Sequence, residues 1–149
     1  MEAKLLNLKI AVDFDGTIVE HKYPEIGKEI LFAFDTLKEL QKRGCQLILW
    51  TYRAGKELDE AVEFCRGNGL EFYAINKNYP EEEYDETISR KINVDIYIDD
   101  KNLGGIPEWG VIWQMLDPDG FERNLDKVEK YLRRSGIRNI FHLRRKKNK

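Results

Sequence analysis

Short apolar runs alternate along the chain with stretches whose apolar residues recur every three or four positions. KIAVDF (9–14) and QLILW (46–50) are dense in β-branched and aromatic residues, the composition of strands buried on both faces. Between them Ile30, Leu31, Phe34, Leu37 and Leu40 lie at helical spacing, which predicts a helix over 28–43 ended by Gly44. A second helix is predicted over 55–66, with Leu58, Ala61, Val62 and Cys65 on one face. GNG at 67–69 breaks it, and LEFYAI (70–75) follows as a third strand. A polar segment, 76–90, leads to VDIYI (94–98), the fourth strand. Such alternation implies an α/β fold whose strands are parallel and joined by right-handed crossovers. Residues 101–116 begin as a glycine turn and then carry no assignable pattern. After DPDG (117–120), Phe121, Leu125, Val128 and Leu132 form the stripe of a last amphipathic helix.

No repeat or linker divides the 149 residues, so one domain is expected over 1–149, with its core at about 8–116 and a C-terminal helix and basic tail at 117–149. A chain of this length buries about 70% of its unfolded surface and needs no covalent staples. Cys45 and Cys65 show no CxxC spacing and no histidine cluster, which points to neither zinc nor a disulfide framework and suits a reduced, cytoplasmic protein. No apolar run approaches the ~18 residues a membrane span requires, and the N-terminus lacks the pattern of a signal peptide. Charged residues make up 35% of the chain but cancel to a net charge of −2, which argues against a general nucleic-acid footprint. The exceptions are local: PEEEYDE at 80–86 is acidic and RRKKNK at 144–149 is basic, the latter reading as a solvated tail.

The chemistry is concentrated where strands end. AVDFDGT closes the first strand with Asp13 and Asp15, two carboxylates that repel unless a cation lies between them. Thr51 follows the second strand, and Asp99 and Asp100 follow the fourth. Open parallel sheets bind ligands beyond the carboxyl ends of their strands, where strand order reverses. With the first strand between the second and the fourth, these residues converge. Several carboxylates gathered there make a site for a hard cation such as Mg²⁺.

Four segments together resemble the haloacid dehalogenase superfamily of phosphohydrolases: DFDGT the nucleophile motif, the threonine of LILWT the second, Lys91 in RKINVD the third, and YIDD the paired-aspartate form of the fourth. Order and spacing agree over roughly 8–105. The resemblance implies a Rossmann-like, three-layer α/β/α sandwich and a Mg²⁺-dependent phosphatase acting on a phosphorylated substrate. In that scheme Asp13 is the nucleophile and metal ligand, and Asp15 is the general acid and base and gives its backbone carbonyl to the metal. Asp100 or Asp99 completes the metal site, and Thr51 with the amides after Asp13, beginning at Phe14, holds the phosphoryl group. Lys91 neutralises charge, with the adjoining Arg90 as the other candidate cation. Residues 18–27 leave room only for a small flap and 76–90 only for a loop, so no cap domain is expected. A capless site acts on a large substrate or takes its lid from a neighbouring subunit of a homo-oligomer. His21, Lys22 and Tyr23 in the flap and Tyr52 and Arg53 after Thr51 are then the substrate-facing groups. The rival reading is a non-catalytic or phosphoryl-accepting signalling domain with the same metal site. Asp15 speaks against it, since a stable phospho-signal needs no acid two residues from the acceptor. Sequence leaves the substrate open.

Overall fold

The computed structural model describes residues 5–134. Eight elements follow in order: β1 (Lys9–Val12), α1 (Ala33–Lys42), β2 (Gln46–Leu49), α2 (Gly55–Gly67), β3 (Ala74–Ile75), β4 (Ile96–Ile98), α3 (Trp109–Leu116) and α4 (Pro118–Arg134). The strands form one all-parallel sheet in the order β3-β2-β1-β4. The chain steps outward from β1 to β3 and then crosses back to the other side of β1, so strand order reverses beside β1. The basic tail at 144–149 and His142 lie outside the described residues.

Alternation along the strands divides the core in two. Ile10, Val12, Leu47 and Leu49 pack on Leu37 and Leu40 of α1, Ala61 and Cys65 of α2, and Trp109 and Ile112 of α3. Ala11, Ile48 and Ala74 face the other way, onto Ile92 with Trp50, Val94 and Tyr97. There the covering layer is the crossover between β3 and β4, which has no helix. Leu37 and Leu40 are fully buried, each contributing about 1.5–3 kcal/mol by removal from water. Both cysteines are free and buried, and burial pushes the Cys45 thiol up to about 11, with Asp117 adding to it, and that of Cys65 to about 12.

Three stretches depart from simple periodicity. The helix expected from residue 28 begins at Ala33, because 28–30 pair back onto the flap: the Glu20 amide donates to the Lys28 carbonyl at 2.7 Å, and the Ile30 amide to that of Ile18 at 2.8 Å. Phe32 then turns the chain through a left-handed conformation. The third strand shrinks to two residues, since 70–73 approach β2 only through the Tyr73 amide on the Leu47 carbonyl. The segment without an assignable pattern contains α3, apolar nearly all round, whose Trp113 packs edge-on against Phe121 of α4. Apolarity on every face erases the periodic signal.

α4 starts inside DPDG. Asp117 caps it by accepting the Gly120 amide at 3.0 Å, with Pro118 at the first helical position. Gly120 is required, since a Cβ there would lie 2.5 Å from Asp117 Cγ. The same carboxylate takes two hydrogen bonds from Arg43 at the end of α1, at 3.1 and 2.9 Å.

Candidate metal and phosphate site

Asp13 leaves β1 and Asp99 leaves β4 at the same level, because Val12 and Ile98 are register partners. Neighbouring parallel strands therefore deliver Asp13, Asp99 and Asp100 to one place, where one carboxylate oxygen of each lies within 4.8 Å of the others. The turn after β1 locks them. Thr17, fully buried, donates its hydroxyl to Asp13 Oδ2 at 3.0 Å and accepts the Asp100 amide at 3.1 Å. Its carbonyl accepts Trp109 Nε1 at 2.8 Å, so the buried indole is a core strut. Gly16 sits at φ +80°, and a Cβ there would lie 2.8 Å from Asp100 Cγ. Only glycine both adopts this conformation and lets Asp100 come so close.

The electrostatics call for a cation. Burial pushes the Asp13 carboxyl up to about 7; the Phe14 amide and Thr17 hydroxyl oppose this, while the charges of Asp99 and Asp100 reinforce it. Asp100 Oδ1 is buried with no hydrogen-bond partner, a costly state for a carboxylate oxygen. Lys101 reaches Asp100 Oδ2 at 3.2 Å, but its side chain is largely exposed. An all-oxygen donor set with an unpartnered buried oxygen fits a hard divalent ion. Asp99 is committed in part to its own turn, accepting the Lys101 amide at 2.8 Å.

Asp15 stands apart from the triad. Both its oxygens accept from Arg53, Nε at 2.7 Å and Nη2 at 2.8 Å. Arg53, expected to face substrate, is instead 1% exposed. Its remaining N–H groups reach the carbonyls of Pro24 at 2.9 Å, Glu25 at 2.8 Å and Glu57 at 3.5 Å. The rings of Phe14 and Tyr23 lie 5.1 and 5.2 Å from its Cζ. A basic residue after a threonine reads as a phosphate contact, and its pairing with an acid 38 residues earlier has no local signal.

The other expected residues differ in their surroundings. The Phe14 side chain is core, edge-on to Phe64, so only its backbone serves the site. Thr51 lies at the end of β2; its amide donates to Asn76 Oδ1 at 2.8 Å and its hydroxyl accepts the Arg53 amide at 3.2 Å. Tyr52 is 91% exposed and meets Tyr23 of the flap edge to face. Lys91 is exposed, its ammonium 5.7 Å from the Tyr97 ring centre, and Arg90 stacks on Tyr84. Neither cation is paired with the aspartate triad among the described residues. Thr17 and Asn76 are the site residues that sequence did not single out, although Thr17 is the last letter of DFDGT.

No helix among the described residues is long and apolar enough to cross a membrane. No protein-family profile matches the chain, and no curated protein is similar to it. Among solved structures, a conserved protein from Bacteroides thetaiotaomicron is 58% identical, over 76% of this chain and 92% of that one, with a TM-score of 0.71. The chain belongs to the same family as that protein. Its description assigns it no activity.

Proposed function

We propose that the protein is a Mg²⁺-dependent phosphatase of the haloacid dehalogenase type, hydrolysing a phosphate monoester through phospho-Asp13. The observation that carries this reading is the set of three carboxylates from two adjacent strand ends, built on DFDGT and YIDD in the order that superfamily uses. Asp13, Asp100 and the backbone carbonyl of Asp15 would hold the ion, which supplies charge neutralisation so that an anionic nucleophile and an anionic ester can meet.

In the first half-reaction an Asp13 carboxylate oxygen bonds to phosphorus as the ester P–O bond breaks, and Asp15 gives its proton to the departing oxygen. In the second, Asp15 takes a proton from water, whose oxygen attacks phosphorus. The bond between phosphorus and Asp13 breaks, releasing inorganic phosphate and restoring both side chains. Thr17 orients Asp13 for the attack through its 3.0 Å hydrogen bond. The Thr51 hydroxyl and the amides after Asp13 are the donors for the phosphoryl oxygens. Lys91 reaches this centre only if its side chain leaves Tyr97, and Lys101, beside Asp100, is the nearer cation.

The test is turnover of a panel of phosphate monoesters with Mg²⁺ or with chelator. Chelator is expected to abolish turnover, as is Asp13→Asn, whose thermal unfolding should remain cooperative. Asp13→Asn at wild-type rate would refute the reading. A phosphoenzyme that persists for minutes in the unmodified protein would favour the signalling alternative.

A further inference from the structure

Arg53 is built as a junction. Its five N–H groups meet five acceptors: the two oxygens of Asp15, the flap carbonyls of Pro24 and Glu25, and the Glu57 carbonyl in α2. Its Cζ lies 5.1 and 5.2 Å from the ring centres of Phe14 and Tyr23, and the side chain is sealed from solvent. Such a fork matches a carboxylate in a way that lysine cannot. The pairing has a chemical consequence. Both Asp15 oxygens are occupied by the guanidinium, and Asp15 in this position is not part of the aspartate cluster. To protonate a leaving group it must free one oxygen from Arg53, while the remaining contact fixes where the other points. The same guanidinium holds the flap, whose own pairing is slight: isolated bridges from Val19 to Asp15 and Glu29, with the Glu20 amide on the Lys28 carbonyl and the Ile30 amide on that of Ile18.

We propose that Arg53 is the positioning residue of the general acid, coupling the place of Asp15 to the place of the flap. This rests on the phosphatase reading for its catalytic half; the coupling half stands on the hydrogen bonds alone. When the substrate draws Asp15 toward the leaving oxygen, Arg53 keeps one contact and carries the Pro24–Glu25 carbonyls with it, so acid and flap move together. Arg53 touches neither nucleophile nor phosphorus and acts only through Asp15 and the flap.

Two measurements on the full chain test this. The first compares a poor leaving group, β-glycerol phosphate, with a good one, 4-nitrophenyl phosphate, which needs no acid. Because a positioned acid contributes about 10²–10⁴-fold, Arg53→Lys is expected to lower kcat by about 10²-fold on the alkyl ester and by only about threefold on the aryl ester. Asp15→Asn should show the same asymmetry. Equal losses on the two esters would mean general damage and would overturn the positioning role. The second is hydrogen exchange in Asp15→Asn, which leaves Arg53 itself in place: amides of 20–28 are expected to exchange about tenfold faster than in the unmodified protein, with α1 and β2 unchanged. Unchanged flap exchange would overturn the coupling. If the unmodified protein hydrolyses neither ester, the phosphatase reading fails, and the exchange result alone decides the coupling.

Discussion

Replacing Gly16 with alanine adds one methyl group to the point where the two acidic strand ends meet. At φ +80° an alanine is strained by roughly 1–2 kcal/mol. The new Cβ would also sit 2.8 Å from Asp100 Cγ, where carbon–carbon contacts prefer about 3.5–4.0 Å, so the carboxylate must retreat by about 1 Å. Metal ligands tolerate displacements of only about 0.2 Å. Asp100 is therefore expected to stop ligating, and even outer-shell losses at metal sites weaken binding by about 10–100-fold. Calorimetric titration with MgCl₂ is expected to show at least a ~30-fold weaker Kd in Gly16→Ala. The melting temperature should fall by only about 3–8 °C, the shift that 1–2 kcal/mol gives a domain of this size. The separation of the two effects is the diagnostic. A variant that binds Mg²⁺ within threefold of the unmodified protein would refute the claim that Gly16 makes room for a ligand.

Other expectations follow from single contacts. Thr17→Val keeps the shape but leaves the Asp100 amide and Asp13 Oδ2 without their partner; a loss of about 1–3 kcal/mol in urea denaturation is expected, together with a fall in kcat. Leu37→Ala, at a fully buried site between α1 and the sheet, should cost about 2–5 kcal/mol by the same measurement. Burial raises the Asp117 carboxyl, but hydrogen bonds from Arg43 and the Gly120 amide, with the charges of Arg43 and Arg123, outweigh it and hold the group below its usual value. Its stabilisation is thus complete above the unfolded value, about 3.9, and is lost as pH falls through the folded one. Asp117→Ala should cost about 3–5 kcal/mol at pH 7, and its difference from the unmodified protein in denaturation curves should shrink steadily below pH 4. A difference independent of pH would contradict the pairing.

What could be read from sequence follows from which forces are local. β1, β2 and α2 are legible because burial of a whole strand or one helix face leaves a period in the chain, and DFDGT and YIDD mark the strand ends that the register then joins. The start of α1 was not legible, because Ile30 is half-buried by pairing with the flap rather than by helical periodicity. α3 was hidden by its apolarity on every face. Within the site, the aspartates are legible as a motif, whereas Arg53 is not. Its role depends on Asp15 and two flap carbonyls more than 25 residues away in sequence, and a lone arginine after a threonine carries no trace of them. Lys91 matches a motif position, yet its ammonium lies over Tyr97, a placement fixed by the fold of a loop and not by spacing.

The most direct measurement is chemical identification of the phosphorylated atom. The protein is mixed with Mg²⁺ and a hydrolysed monoester, quenched in acid during turnover, reduced with borohydride and mapped by peptide mass spectrometry. Borohydride converts an aspartyl phosphate to homoserine, and the expected result is homoserine at position 13, absent when Mg²⁺ is chelated and absent in Asp13→Asn. Steady turnover with position 13 still aspartate, or with homoserine at 99 or 100 instead, would contradict the assignment of Asp13 as nucleophile.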